Sequence, residues 1–426
     1  MISVQNHQQR LSGSKLLLAV GFILTLGACS PKTTGVLRSP DHRGGNVGAV
    51  SQKEEKPEEK KTEETIYEAK KAEALRNSIA LVLPFQLDRV SPSTLSKEDI
   101  DRSAVALDFY QGFQLGLDQL SKEGKSFTLR IIDSRDDEAQ NSNIAKSEEV
   151  ANAAIIVGPV YPKEIRTFGA NLSNKNILQI NPLAASRASD FNLPNLVSLT
   201  PSINVHTKAM ATKVAKDCGA NDVIIIYNTS DNDGRQFING FSTELKRLKP
   251  NIQVRSVSNI EQMNEALVTT GKNLLVIGTT DKFQLRVFLN NLDSKMVENN
   301  YSFHIYGHPL WDRIDFSAYG NFASYSPVIS VESHMKPTSS EAVAFKDLYY
   351  SLYGVNPSDH SYKGYDAARY FGSLLAKYGE NYAKHITDET FDGLFSSYRF
   401  EYNSAYGYVN SSVSYKVYRG SSFQLN

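Results

Sequence analysis

From residue 78 onward, short unbroken apolar runs alternate with longer stretches in which apolar residues recur every three or four positions. The run Ser78-Ile79-Ala80-Leu81-Val82-Leu83 ends at Pro84 and predicts a strand buried on both faces. Residues 104–123 then carry Leu107, Tyr110, Phe113, Leu117 and Leu120 at helical spacing. A second strand is predicted at 127–133 and a second helix at 142–153. Ala154-Ile155-Ile156-Val157 is another apolar run, cut off by Gly158-Pro159, and Pro162 suits the first position of a helix because its missing N–H would have had no intrahelical partner. That helix puts Ile165, Phe168, Gly169 and Leu172 on one face. Strands at 177–181 and 195–202 complete the first set.

The rhythm restarts with a helix at 205–217 and strands at 222–227, 251–257, 273–278 and 302–306, separated by helices at 234–248, 261–269 and 282–297. A strand at 328–332, helices at 339–353 and 365–378, and a strand-rich tail at 397–423 follow. Strands alternating with helices build parallel sheets, so the pattern predicts an α/β protein of two doubly wound lobes in series. The late helices are one layer too many for a simple tandem, which implies that the chain returns to the first lobe. Turns at the carboxyl ends of parallel strands line ligand crevices, which marks residues 158–162 as part of a cleft wall.

The first 77 residues do not share this pattern. Arg10 and Lys15 precede an apolar stretch at 16–26, which reads as a secretory signal. Leu26-Gly27-Ala28-Cys29 resembles the bacterial lipobox, and by that resemblance Cys29 would become the lipidated first residue of the mature chain. Two or more acyl chains anchor a protein stably. Ser30 is not the aspartate that retains enterobacterial lipoproteins at the inner membrane, so the resemblance implies the outer membrane, facing the periplasm. Residues 29–77 are poor in apolar groups and include Lys-Glu-Glu-Lys-Pro-Glu-Glu-Lys-Lys, which predicts a disordered, charged tether.

Composition narrows the function classes. Lys+Arg and Asp+Glu both number 46, so no global field favours nucleic acid. Two cysteines, Cys29 and Cys218, rule out a disulfide framework. There is no G-x-S-x-G elbow, Walker loop or G-x-G-x-x-G, and His304 and His308 straddle a strand end in a way that does not suit zinc. No cofactor, metal or catalytic residue is therefore expected.

The order of Ile79 to Pro84, Ile156-Val157-Gly158-Pro159, Leu178 to Pro182, Leu199-Thr200-Pro201-Ser202 and Val223 to Tyr227 resembles the type 1 periplasmic binding proteins of leucine-binding type. Tyr365-Asp366-Ala367-Ala368, Phe391-Asp392-Gly393 and Tyr398-Arg399-Phe400 resemble that family's late helix and closing strand. The resemblance implies two lobes joined by a three-strand hinge. Residues 78–202 and 330–390 would form lobe 1, 203–329 and 391–426 lobe 2, with crossovers near Pro201, Val328 and Phe391. The family's ligand turns put Pro162 where a serine is expected, and Leu183 and Ala185 where alanine and threonine contacts are expected. Two hydroxyls are lost, which disfavours a free α-amino acid as ligand. The candidate cleft residues are Gln86, Asp133, Arg135, Tyr161, Ser186, Thr200, Asn228, Thr280, Asp281 and His308, with Asp281 able to partner an ammonium group and Trp311 to stack on a ligand or fill a gap between lobes.

Two functions compete at this stage. One is a non-catalytic binding lipoprotein whose hinge closes on a small polar ligand, of amino-acid, peptide or cell-wall fragment class, and presents it to a transporter or sensor. The other is a scaffold with a degenerate cleft, because the opening Leu-Val-Leu-Pro and Val-Gly-Pro-Val-x-x-Lys-Glu-Ile are similar to the lobe pair of outer-membrane lipoprotein activators of penicillin-binding proteins. Lobe-pair relatives often associate through the first lobe, which implies a possible homodimer.

Overall fold

A computed structural model describes residues 76–91, 93–299 and 301–426. The expected signal and lipid anchor, and the expected tether up to residue 75, lie outside the described residues. Asn77, assigned to the end of the tether, is already tied to a sheet, because its carbonyl accepts from Thr128 N–H.

The strands in chain order are β1 Ser78–Leu83, β2 Thr128–Asp133, β3 Ile155–Val157, β4 Gln179–Asn181 and β5 Leu196–Ser198. They continue as β6 Val223–Tyr227, β7 Val254–Val257, β8 Lys272–Ile277, β9 Ser302–Gly307 and β10 Val328–Val331. The tail holds β11 Phe391–Asp392, β12 Ser397–Tyr398, β13 Phe400–Asn403, β14 Gly407–Asn410, β15 Ser414–Arg419 and β16 Ser422–Leu425. Two seven-stranded sheets result, ordered β13-β14-β5-β4-β3-β1-β2 and β16-β15-β10-β9-β8-β6-β7. The first five strands of each set pair in parallel in the same order, with the second strand at the edge and the first beside the third. In such doubly wound sheets the crevice opens at the carboxyl ends of the strands where the winding reverses.

Every residue of β1 is buried, as the unbroken apolar run requires, whereas edge strand β2 leaves Ile131 48 % exposed. The helix Asp359–Tyr378 packs on Lys97–Lys122 and joins the first core, with Ala367, Phe371 and Leu374 in one cluster with Ile79 and Leu81. Glycines make the crossing close: a Cβ on Gly112 would lie 1.8 Å from Ser361 O, and one on Gly364 2.1 Å from Phe109 O. The chain thus returns to the first lobe, as the surplus helices implied.

Four helices differ most from the periodicity, among them the late one, expected at 365–378, which starts at Asp359 behind its Ser358 cap. The first starts at Lys97, seven residues early, because Ser96 and Asp99 form a capping box, with Ser96 Oγ accepting from Asp99 N–H at 3.2 Å and Asp99 Oδ2 from Ser96 N–H at 3.1 Å. The expected helix at 142–153 is two short ones, Glu138–Ile144 and Glu148–Ala151, each with its own cap at Asp137 and Ser147. The expected helix at 234–248 breaks at Gly240, whose φ of 77° cannot continue a right-handed helix.

The tail corrects the expected division. Residues 391–426 were assigned whole to lobe 2, yet β13 and β14 extend the first sheet through the parallel pair Tyr408↔Val197, and only β15 and β16 join the second. The third crossover therefore falls at 411–413, not near Phe391. The second falls after Val331, since all of β10 lies in the second sheet.

Candidate functional site

A cleft of about 1040 Å³ lies beside the first two of these crossovers. Thr200 and Pro201 of the first crossover, Glu332 and Ser333 of the second, and Phe395 of the turn between β11 and β12 line it together. Lys363 and His360 line it from the first-lobe helix Asp359–Tyr378. His206, Asp233, Gln236, His308 and Leu310 line it from the second lobe. Lys363 Nζ pairs with Glu332 Oε2 at 2.7 Å, and Lys416 Nζ with Asp312 Oδ2 at 2.7 Å, so much of the lining charge is internally matched.

His308 follows β9 and begins the 3-10 turn Pro309–Arg313. Its Nδ1 accepts from Leu310 N–H at 3.0 Å, which puts the proton of the neutral ring on Nε2, and that nitrogen has no hydrogen-bond partner. His206 sits nearby with Nδ1 3.0 Å from Ser330 Oγ. Burial, helped at His206 by the neighbouring His308, pushes both rings down to about 4, so they are neutral at ordinary pH. Phe237 meets the His308 ring edge-on at 5.3 Å. The second-lobe wall thus offers neutral imidazoles and an unpaired donor.

Of the residues singled out from sequence, Thr200 and His308 line this cleft. Asp133 instead accepts from the N–H groups of Gln86, Leu87 and Arg135 at 2.9–3.0 Å, pinning loops in which Gln86 and Arg135 adopt positive φ. Tyr161 precedes the helix Pro162–Asn171, and its N–H donates to Glu164 at 3.3 Å. Ser186 is half-buried beside the cleft residue Ala185. Asn228 donates to Ser258 in a separate second-lobe depression. Thr280 N–H and Oγ1 approach Asp231 at 3.4 Å. Asp281 Oδ1 accepts from Gln284 N–H at 2.8 Å, so it caps the helix Lys282–Asn299 and does not line the cleft.

Trp311 lies neither against the cleft nor between lobes. It is fully buried in the second-lobe core against Phe316 and Phe322, and its Nε1–H donates to Thr279 O at 2.8 Å. The absence of a side chain at Gly307 makes room for the ring.

Sequence reasoning missed Glu332, Lys363, Phe395, His206 and Lys416. No local spacing groups residues so far apart in the chain, and only the meeting of the two lobes does. A further missed residue explains the Tyr-Asp-Ala motif. Asp366 is buried, and its carboxylate accepts from the N–H groups of Leu394, Phe395 and Ser396, each at 2.8 Å. Burial outweighs those three donors and raises its carboxyl to about 6. The motif latches the turn that supplies Phe395 to the cleft.

Among the described residues no helix is long and apolar enough to cross a membrane. No curated protein sequence matches this chain. Solved structures do. A protein assigned to a branched-chain amino acid ABC transporter of Rhodospirillum rubrum aligns over 82 % of this chain and 99 % of its own, at 15 % identity and a TM-score of 0.60. An ABC transporter substrate-binding protein of Desulfitobacterium hafniense covers the same shares at 15 % identity and a TM-score of 0.51. The C-domain of LpoA from Haemophilus influenzae, a regulator of PBP1A, aligns over 82 % of this chain and 99 % of its own at 13 % identity and a TM-score of 0.53. These likenesses are of fold. The family described as receptor family ligand binding region matches residues 111–405. The chain therefore belongs to that ligand-binding-region family, with the two-lobed architecture of the type 1 periplasmic binding proteins.

Proposed function

We propose that the protein is a non-catalytic binding lipoprotein of the cell envelope, whose cleft takes a small polar ligand of peptide or cell-wall fragment class and presents it to a transporter or sensor. The observation that carries this reading is a cleft of about 1040 Å³ walled by both lobes and the first two crossovers. A ligand touching both walls would favour the closed arrangement by its differential contacts. The volume is at the upper end of small-molecule sites, which suits a ligand larger than one amino acid. The sequence fits the same conclusion, because the two positions where the resemblance expects hydroxyls hold Pro162 and Ala185, and Ala185 lines the cleft. Lipidation at Cys29 would hold the protein at the outer membrane.

A thermal-shift panel of amino acids, short peptides and muropeptides tests the cleft. A ligand at about 100 times its Kd adds about 2.7 kcal/mol of stability, which appears as a clear rise in Tm. Silence across the panel favours the second reading, a scaffold or activator for peptidoglycan synthesis with a degenerate cleft, which the fold likeness to the LpoA C-domain and the lost hydroxyls support. For the anchor, Cys29→Ser should move the protein from the membrane fraction to the soluble fraction, and its persistence in membranes would refute lipidation there.

A further inference from the structure

In the floor of the cleft a first-lobe ammonium is held by groups from the first two connections between the lobes and from the turn between β11 and β12. Lys363 Nζ lies 2.7 Å from Glu332 Oε2, and Glu332 directly follows β10 of the second sheet. The two side chains are only 13 % and 16 % exposed, so the pair is largely out of water. Glu332 Oε1 accepts from Ser396 Oγ at 3.4 Å and from Thr200 Oγ1 at 3.5 Å. Thr200 Oγ1 also lies 3.5 Å from Nζ, and the ring centre of Phe395 lies 5.7 Å from it. A carboxylate, a hydroxyl and an aromatic face are the partners that an organic ammonium needs when it leaves water. Here residues 200, 332 and 395–396 supply them.

We propose that Lys363 is a resident ammonium. It fills the cation-binding corner of the cleft from within the chain, so that the compounds this cleft accepts carry no ammonium group at the hinge and are N-blocked or non-amine molecules. The consequence for specificity rests on the cleft being the ligand site, whereas the filling of the corner by Lys363 does not.

The two parts are tested separately. Lys363→Ala removes three methylenes and the ammonium, which n-propylammonium chloride restores. The expected result is a concentration-dependent rise in the Tm of this variant, of about 2 °C or more, with no rise for the unaltered protein and none for either with n-propanol. An equal response of both proteins, equal rescue by n-propanol, or no rescue overturns the assignment. Should Lys363→Ala not fold, Lys363→Met keeps the stem against Phe395, and adding Glu332→Gln must raise its Tm; an unchanged or lower Tm overturns the assignment. For specificity, N-acetyl-trialanine and trialanine are compared on the unaltered protein. A Tm shift with the acetylated peptide at least as large as that with the free amine supports the proposal, and a shift with the free amine alone overturns it. Silence from the whole panel overturns the ligand-binding reading, and the propylammonium result still decides the role of Lys363.

Discussion

Single residues here do more structural work than their types announce. Asp366 is buried and meets three backbone N–H groups, and Asp133 accepts from three amides in more exposed loops of the first lobe. Asp366→Ala leaves its three donors buried and unpaired, which should cost about 3 kcal/mol or more, read as a lower urea midpoint. Asp366→Asn keeps one acceptor but turns an amide N–H₂ toward the others, so it should fall between the two. A side chain's chemistry was legible in the sequence, but its partner was not. Asp281, Trp311 and Thr280 were plausible cleft residues by position in the chain. Each is satisfied within its own lobe, by a helix N-terminus, a carbonyl and an aspartate respectively. A polar residue after a strand has two ways to be satisfied, and local sequence does not say which it takes.

Elements were legible where the apolar pattern was long and missed where a cap decided the boundary. The strand β1 was clear from its apolar residues alone, whereas the late helix starts six residues early behind its Ser358 cap. The early start at Lys97 follows a serine–aspartate box that the periodicity does not register, and the break at Gly240 follows one residue's φ. The turn Pro309–Arg313 has a consequence for pH. His206 and His308 titrate near 4 in the folded protein and near 6.5 when unfolded. As pH falls from 6.5 to 4 the unfolded rings take up protons that the folded rings refuse, so stability falls, on the order of 3 kcal/mol for each ring. Asp366 acts in the opposite sense, since its raised carboxyl contributes stability at low pH that is lost as pH rises through about 6. The two rings outweigh it, so urea midpoints should rise from pH 4 to 6.5. His308→Asn keeps an acceptor for Leu310 N–H and does not titrate, and it should remove most of that rise, because the remaining ring and Asp366 then nearly cancel. An unchanged slope would show that His308 is not one of the groups responsible.

At the scale of the whole molecule, the divided tail is the feature that matters most. β13 and β14 complete the first sheet, while Tyr418 and Phe423 of β15 and β16 pack on Phe316 and Phe322 in the second-lobe core. A chain ending at Asn410 should keep the first lobe folded and loosen the second. Its sole tryptophan, Trp311, which packs against Phe316, reports this: the emission should shift to the red while the first-lobe helices resist proteolysis. Unchanged emission would mean that the second core does not depend on its last two strands.

The sequence by itself determined the two sets of alternating strands and helices and the return of the late helices to the first core. These are local matters, set by the spacing of apolar residues and by the identity of turn residues. Tertiary structure alone decided where the tail divides and which side chains face the cleft. Both depend on pairings between residues more than a hundred positions apart, Thr200 with Glu332 and Tyr408 with Val197 among them, and the energy of such a pairing is written in neither partner's neighbourhood.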